Sequence, residues 1–376
     1  MSNPESKPWD NWSAPTGVWG SDVMGPGFVA QTMPLADDDQ GPVVATLVRH
    51  DPELDPKTLP GTPVNPSFAV LYIHGWNDYF FQAELAREVA RCGGRFYGID
   101  LRKYGRSLRD HQTFGYITDL RQYDEDLQAA LNLIAKDGRL PLVLMGHSTG
   151  GLTAALWAHR HPGVLAGLML NSPWLELQTS PSVRETMRPI VERVAARSPQ
   201  KVLSLDSGPN FYGMSLTGWL ESDGPVPPEL AQWPDDPSVK GGWNLNPKWK
   251  NPQGAATRAA WLYAILRGHQ QVAQGLDIDC PIFVGTATSS GGGKVWDPIM
   301  RRQDVVLDVA IIAQRAIGLG RRLQLFRYDS KHDLVLSDPD VRILFYTDLG
   351  RWFEQIIRSD DGQVLVNAPR QAALAP

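Results

Sequence analysis

The sequence has few cysteines, no long apolar run and no cluster of basic residues, and each shortage argues against a class of protein. Its two cysteines are Cys92, in a helical pattern, and Cys280, just before a predicted strand, and we expect buried thiols rather than a disulfide or a metal pair. The apolar runs stay below the roughly 18–20 residues of a membrane helix, so we expect no stable membrane insertion. With a net charge of −5 and no basic stripe, we expect no nucleic acid partner.

Further absences concern cofactors and location. The sequence has no phosphate-binding glycine loop and no cluster of cysteine and histidine, so we predict neither an organic cofactor nor a metal. The first ten residues lack a basic stretch followed by an apolar one, so we predict no secretory signal and expect a cytoplasmic location. The pattern carries no information on the oligomeric state.

Tryptophan, in contrast, is abundant, with 13 residues in a chain that is 42% apolar and 20% charged. Trp9, Trp12 and Trp19 lie among proline, glycine and polar residues within residues 1–27. This composition predicts an irregular N-terminal arm that packs on the body of the protein through its tryptophans.

Apolar runs and helical periodicity alternate along most of the chain. Eight strands are predicted, at residues 28–34, 43–49, 68–73, 95–99, 142–145, 165–170, 281–284 and 323–328. Several of these runs are continuously apolar, as in strands that are buried on both faces, and amphipathic helices separate them. The sequence therefore predicts an α/β fold with a mostly parallel eight-stranded sheet and helices on both faces.

One stretch interrupts this alternation. Residues 178–250 hold one amphipathic helix and then a segment rich in proline, glycine and tryptophan, without a predicted strand. Long insertions of this kind are usually lids or binding loops. We therefore divide the chain into the arm (1–27), a core (28–177 and 251–358), an inserted cap (178–250) and a polar tail (359–376).

The predicted chemistry centres on Ser148. The apolar run 142–145 leads into GHSTG (residues 146–150), and a helical pattern follows directly. A Gly-x-Ser-x-Gly sequence between a strand and a helix predicts a nucleophile elbow, which is a tight turn that presents the serine at strained backbone angles. The two glycines leave the room that such a turn requires.

A serine hydroxyl needs a base, and the base needs an orienting acid. Of eight histidines, His332 lies in a loop directly after the last predicted strand, where active groups gather in parallel sheets. We expect His147 to pack against the sheet and His74 to be structural. His159 and His161 end the helix after the serine, where we expect a surface or capping role.

The sequence defines the acid less well than the base. No acid directly follows the strand at 281–284, and the first candidates are Asp297, Asp304 and Asp308. We favour Asp304, which precedes a helical pattern if residues 289–303 are a loop excursion, although a helix N-cap is an equally ordinary role for it. Asp308, Asp297 and Glu176, which follows the preceding strand, stay open as alternatives.

Two backbone N–H groups are needed to hold the oxyanion of an acyl-transfer reaction. One is predicted to be the N–H of Thr149, directly after the serine. The other is predicted in the loop after the strand at 68–73, which is His74-Gly75-Trp76. We choose the N–H of Trp76, since Gly75 lets the backbone approach closely.

These motifs resemble the α/β-hydrolase superfamily, and within it the group of monoacylglycerol lipases, lysophospholipases and serine aminopeptidases. The resemblance rests on YIHG (72–75), on Asp100 with Gly-Arg-Ser at 105–107, on GHSTGG (146–151) and on His332, and it covers residues 28–177 and 255–358. This sequence departs from the family at Lys103, where glycine is common, and in the insertion 289–303. The resemblance implies the α/β-hydrolase fold with a cap between its sixth and seventh strands.

The motifs and the resemblance together imply a serine hydrolase that forms an acyl-enzyme on Ser148. The expected partner is a small-molecule acyl substrate, most simply a carboxylic ester with a medium or long acyl chain, such as a monoacylglycerol. An amidase or aminopeptidase, a lactonase, or a hydrolase of C–C bonds is the alternative, and a non-catalytic binding scaffold is a third hypothesis.

The cap is expected to set the substrate. Its tryptophans, together with the one just before it, offer apolar walls for an acyl chain or form the small core of the cap itself, and both interpretations stay open. These residues are Trp174, Trp219, Trp243 and Trp249. An aminopeptidase would also need a cap acid for the substrate's amine, and the candidates are Glu185, Glu192, Glu221 and Asp223.

Overall fold

A nine-stranded sheet carries the fold. The computed structural model describes residues 7, 9, 12–203 and 208–357. The strands, in chain order, are β1 (Gly20–Ser21), β2 (Phe28–Pro34), β3 (Val44–His50), β4 (Phe68–Ile73), β5 (Gly94–Asp100), β6 (Leu142–His147), β7 (Gly167–Asn171), β8 (Ile282–Ala287) and β9 (Leu323–Tyr328). Their order in the sheet is β1-β2-β3-β5-β4-β6-β7-β8-β9.

The first strands run antiparallel and the others run parallel. β1, β2 and β3 form an antiparallel meander, and β3 also pairs antiparallel with β5. From β5 to β9 every neighbouring pair is parallel. The strand order reverses around β4, which lies between β5 and β6. The crevice at such a reversal, at the carboxyl ends of the strands, is where open α/β sheets bind ligands.

The predicted α/β architecture is confirmed, with one addition. The eight predicted strands correspond to β2–β9, and the ninth is β1, whose two residues are too few to produce a periodic pattern. β4, β6, β7 and β8 are buried at every position. This burial on both faces explains why their sequences are continuously apolar.

Helices cover both faces of the sheet. They are α1 (Ala83–Arg91), α2 (Tyr123–Asp137), α3 (Thr149–Arg160), α4 (Pro181–Arg197), α5 (Phe211–Ser215), α6 (Ala259–Gln274), α7 (Val309–Ala316) and α8 (Pro339–Ile357). The apolar faces of α2, α3, α6 and α7 join one core cluster. Those of α1 and α8 join a second cluster on the other face of the sheet.

The segment predicted as the cap lies between β7 and α6. Its described part contains α4 and α5 and no strand. α4 packs against α6, where the hydroxyl of Tyr263 donates to Glu192 at 2.6 Å. Arg301, from the insertion before Asp304, is buried against the cap, donates to three of its backbone carbonyls and pairs with Asp223 at 2.7 Å.

The structure shows the state of the two cysteines and whether any described helix could cross a membrane. Cys280 is buried, whereas Cys92, expected to be buried, is half-buried, and both are free. Burial raises the pKa of Cys92 to about 11 and that of Cys280 to about 12. No helix in the described residues combines the length and the apolar character that crossing a membrane requires.

A buried ion pair fixes the arm to the core. The guanidinium of Arg106 lies 2.7 Å from Asp22, in the arm, and 2.9 Å from Asp100, at the end of β5, and none of the three side chains is exposed. The ring of Trp12 lies 6.0 Å from the same guanidinium, and its indole N–H donates to the carbonyl of Ser21 at 3.1 Å. The predicted polar tail lies outside the described residues.

Replacing Arg106 with methionine should lower the free energy of unfolding by about 3–5 kcal/mol, because two buried carboxylates would lose their cation. Urea unfolding followed by tryptophan fluorescence measures this loss. The control is Arg121→Met, because Arg121 pairs with Asp119 at the surface, and the unfolding midpoint should stay unchanged within error. Equal effects in the two variants would contradict a structural role for the buried pair.

Candidate active site

Ser148 lies at the tight turn between β6 and α3. Its backbone has φ +53° and ψ −117°, a left-handed conformation that is rare for a residue with a side chain. The N–H of Ser148 donates to the carbonyl of Asn171 at 3.1 Å, and its carbonyl accepts from the N–H of Trp174 at 2.9 Å. A Cβ on Gly146 would lie 2.4 Å from the carbonyl oxygen of Gly150, so the turn requires glycine there.

Backbone strain is concentrated at the edge of the sheet that carries Ser148. Four non-glycine residues in the described part of the chain have a positive φ, and each closely follows the carboxyl end of one of β4–β7. They are Asn77, Lys103, Ser148 and Ser172. Lys103, where the family commonly has glycine, is held at φ +65° while its ammonium pairs with Asp38. Strain of this kind persists only where the surroundings impose it, which is typical of functional sites.

The structure brings His332 and Asp304 together. His332 lies in the loop after β9, and its Nδ1 is 2.9 Å from Oδ2 of Asp304, with both side chains buried. The other oxygen of Asp304 accepts from the N–H groups of Val306 and Leu307, at 2.8 and 2.7 Å. This network assigns the proton of the neutral imidazole to Nδ1 and leaves Nε2 as an acceptor.

The other candidate acids have different partners. Asp308 caps α7 by accepting from the N–H groups at 310 and 311, and Asp297 caps a short 3-10 helix at 298–302. Glu176 pairs with Arg315 at 2.8 Å. Among the described residues, Asp304 is the one carboxylate that bonds His332.

Two further histidines lie buried near the site. His74 donates from Nδ1 to the carbonyl of Gly75 at 2.7 Å and accepts at Nε2 from the N–H of Leu101 at 3.1 Å. His147 faces the carbonyl of Asn171 with Nδ1, at 3.2 Å. Burial lowers the pKa of both imidazoles, which favours their neutral forms. These contacts agree with the packing and structural roles predicted for them.

The loop predicted to hold the oxyanion lies directly against the nucleophile. A Cβ on Gly75 would be 3.1 Å from the Cβ of Ser148, which is closer than an ordinary van der Waals contact, so a larger residue would require the loop or the turn to move by a few tenths of an ångström. Thr149 is the first residue of α3, where an N–H has no acceptor within the helix. The ring of Trp76 packs on Trp261, with centroids 3.9 Å apart.

The ring of His332 lies among aromatic neighbours. The edge-on ring of Tyr212 is 5.4 Å away and the ring of His147 is 4.8 Å away. In the described part of the chain no hydrogen bond joins Ser148 to His332. Bonds of this kind between a nucleophile and its base often tighten only when substrate binds.

Of the four tryptophans considered for substrate contact, Trp174 is next to the nucleophile. Its N–H bonds the carbonyl of Ser148, its carbonyl accepts from Nε2 of His269 at 2.9 Å, and its ring lies 6.1 Å from that of Trp261. The indole N–H of Trp174 is buried and has no hydrogen-bond partner in the described residues.

The other three tryptophans pack the cap against its surroundings. The ring of Trp219 lies under Arg301, at 5.3 Å, and that of Trp243 under Arg342, at 5.4 Å. Trp249 contacts Trp12 of the arm. Their contacts in the structure therefore join the cap to the insertion, to α8 and to the arm rather than forming a core within the cap, and substrate contact stays a prediction for all four.

Sequence reasoning missed several aromatic residues of this site. Trp261 and Phe114 both pack on the ring of Trp76, and Tyr212 lies against His332. Trp261 belongs to the buried stripe of α6, where an apolar pattern does not distinguish a core residue from one beside a site. Tyr212 lies in a five-residue helix of the cap, which is too short for a periodic signal.

Known proteins match parts of this chain. A family model described as serine aminopeptidase, S33 matches residues 64–233. Phospholipase YtpA of Bacillus subtilis (strain 168) is 32% identical over 116 residues, which are 30% of this chain and 43% of that protein. The monoacylglycerol lipase of Mycolicibacterium smegmatis (strain ATCC 700084 / mc(2)155) is 28% identical over 113 residues, 29% of this chain and 39% of that protein. The chain thus spans less than half the length of these two curated relatives.

A solved structure with a similar fold covers much more of the chain. A soluble variant of monoglyceride lipase from Saccharomyces cerevisiae matches with a TM-score of 0.58 and 15% identity, over 86% of this chain and 94% of that one. At this identity the similarity shows a common fold and nothing finer.

His269, which holds the carbonyl of Trp174, should make stability depend on pH. Burial lowers its pKa to about 4, whereas a histidine in the unfolded chain titrates near pH 6.5. The unfolded state therefore binds a proton first, and about 3 kcal/mol of the free energy of unfolding, present above pH 6.5, is lost as the pH falls to 4. Urea unfolding across this range measures the loss.

The variant His269→Gln keeps a donor for the carbonyl of Trp174 and removes the titrating group. Between pH 6.5 and 4 it should therefore lose about 3 kcal/mol less of its free energy of unfolding than the wild type. His111→Gln removes an exposed histidine and should follow the wild type. If His269→Gln and the wild type lose stability in parallel, the histidine is not held neutral by the fold.

Proposed function

We propose that this chain, which has the α/β-hydrolase fold and resembles monoacylglycerol lipases over part of its sequence, is a serine hydrolase of carboxylic esters. The observation that carries the proposal is the buried hydrogen bond of 2.9 Å between His332 and Asp304. This bond orients a neutral imidazole at the same sheet edge as the strained Ser148, which is the arrangement that activates a serine.

The first step is acylation. Nε2 of His332 takes the proton of the Ser148 hydroxyl as its oxygen attacks the ester carbonyl. Asp304 stabilises the imidazolium that forms, without itself taking the proton. The oxyanion accepts hydrogen bonds from the N–H groups of Thr149 and Trp76, and the positive end of α3 adds to their effect.

The alcohol leaves at the end of acylation, and a second step then releases the acid. His332 returns its proton to the leaving alcohol, and an acyl-enzyme on Ser148 remains. Water then attacks this ester with His332 again as the base, and the carboxylic acid leaves. This sequence of steps requires only side chains and backbone groups of this chain.

The proposed substrates carry a medium or long acyl chain, as monoacylglycerols do. Two observations support this class. Two relatives are named a monoacylglycerol lipase and a phospholipase, and Trp76 and Trp174, which lie next to Gly75 and to the turn of Ser148, both have their rings close to that of Trp261. The rings of Trp76, Trp174 and Trp261 offer an apolar wall suited to hydrocarbon.

An aminopeptidase would use the same triad as the proposed esterase, but it would also need an acidic side chain to bind the amino group of its substrate. Of the cap acids considered for this role, Asp223 pairs with Arg301, and Glu192 accepts from Tyr263. Glu185 and Glu221 are exposed. The family model that matches residues 64–233 is described as serine aminopeptidase, S33, but none of these cap acids is singled out as a partner for an amine.

Labelling with a fluorophosphonate probe tests the mechanism, and a series of p-nitrophenyl esters beside aminoacyl anilides tests the substrate class. We expect the wild type to be labelled and Ser148→Ala to remain unlabelled, and we expect turnover to rise from short to medium acyl chains. A wild type that resists the probe would contradict the serine mechanism. Anilide turnover above ester turnover would favour the aminopeptidase.

Asp304→Asn should lower kcat by about 10³- to 10⁴-fold, because an amide favours the wrong tautomer of His332 and does not stabilise its charge. Asp308→Asn is the matched control, since Asp308 caps α7, and its kcat should stay within a few-fold of the wild type. Both are measured with the best p-nitrophenyl ester. If Asp308→Asn or Glu176→Gln lost kcat while Asp304→Asn kept it, the assignment of the acid would be wrong.

A further inference from the structure

The three residues after Trp76 are bound to the end of the cap and to Asn251, the residue that follows it. Asn77 and Asn251 exchange two hydrogen bonds, from the side-chain amide of Asn77 to the carbonyl of Asn251 at 2.8 Å and from the N–H of Asn251 back to Oδ1 at 3.0 Å. The hydroxyl of Tyr79 accepts from the N–H of Asn246 at 3.0 Å. Asn77 itself has φ +53°, a conformation that needs such external support.

A buried ion pair lies between these contacts. The ammonium of Lys250 is 2.8 Å from Oδ1 of Asp78, and the two side chains are 6% and 1% exposed. The carboxylate of Asp78 accepts no hydrogen bond from the described residues, so the ammonium of Lys250 compensates its buried charge as an ion pair. The pair completes the contact between residues 77–79 and residues 246–251, which we call the clasp.

The surroundings of Asp78 make this lysine hard to replace. Asp78, His147 and Asp333 bring three potential ligand atoms within 4.8 Å of one another, all buried. One oxygen of Asp333 has no hydrogen-bond partner in the described residues. Such a cluster needs a positive charge, and the ammonium of Lys250 supplies one from inside the chain.

The clasp begins one residue after the backbone N–H that should hold the oxyanion. Gly75, on the other side of Trp76, lies against Ser148, so the loop is held at one end by the nucleophile and at the other by the cap. An oxyanion donor must be held within a few tenths of an ångström to be effective.

Resting on the proposed function, we propose that the clasp positions the N–H of Trp76 toward the oxyanion, and that Lys250 and Asn77 are positioning residues for the reaction. The cap then contributes to the chemical step as well as to substrate binding. Loosening the clasp displaces a donor that acts on the transition state, so kcat falls while the affinity for a neutral ligand is kept.

The test uses Lys250→Met, which keeps the aliphatic stem and removes the charge, and Asn77→Gly, which removes both amide bonds and suits the positive φ. Three quantities are measured: kcat and KM for p-nitrophenyl octanoate, the Ki of an octyl trifluoromethyl ketone, and the Ki of the matching secondary alcohol. Attack of the serine on the ketone forms an adduct that carries an oxyanion, whereas the alcohol reports ground-state binding alone.

We expect kcat to fall about 10- to 100-fold in Lys250→Met and about 10-fold in Asn77→Gly, with KM and the Ki of the alcohol within about two-fold of the wild type. The Ki of the ketone should rise by the same factor as kcat falls. Lys248→Met, a change of an exposed lysine in the same segment, is the matched control and should leave all three quantities unchanged.

If both variants keep kcat, or if the ketone and the alcohol weaken equally, the clasp does not position the donor. Should Lys250→Met fail to fold, Asn77→Gly decides the question alone, because glycine relieves the strain at position 77. A wild type that neither hydrolyses the ester nor binds the ketone overturns the proposed function and this inference with it. A wild type that does both, beside unaffected variants, overturns the inference alone.

Discussion

The site depends on how closely the first turn of α3 packs against the end of β4. A Cβ on Gly150 would lie 2.3 Å from the carbonyl oxygen of His74, and one on Gly146 would lie 2.4 Å from that of Gly150. Only glycine allows both approaches. Because β4 and β6 are neighbours at the point where the strand order reverses, this packing brings Ser148 and the loop of Trp76 to one crevice. The same close packing therefore places both the proposed nucleophile and the loop of the proposed oxyanion donor.

How far the site could be predicted depends on how local each feature is. The strand, the glycines and the helix around Ser148 are contiguous, and the place of His332 after the last strand follows from the chain order. The acid could not be chosen in this way. Asp304 accepts from the N–H groups two and three residues ahead, which is the same local pattern by which Asp308 caps α7. What distinguishes the two aspartates is that Asp304 contacts His332. This contact joins two loops that are separate in sequence, so no local pattern reveals it.

The partners of the cap were beyond sequence reasoning for a related reason. Composition shows how many tryptophans lie in a segment but not what they face, and the partners of Trp219 and Trp249 come from the insertion and the arm. The contact of Lys250 was even harder to predict. Lysine is seldom fully buried unless it is paired, so a lysine in a polar segment is expected at the surface. Its partner Asp78 is remote in sequence, and no periodicity links the two segments.

The arrangement also explains how a cap of irregular structure can serve a reaction that needs exact distances. The clasp joins it to the loop of Trp76, and Arg301, which is buried against the cap, precedes Asp304 by only three residues. The cap is therefore attached to the two loops that carry the proposed oxyanion donor and the proposed acid. An acyl chain bound against the cap would be held at a fixed position relative to both groups. Holding reacting groups at fixed distances and orientations is one of the largest contributions that an enzyme makes to the reaction rate.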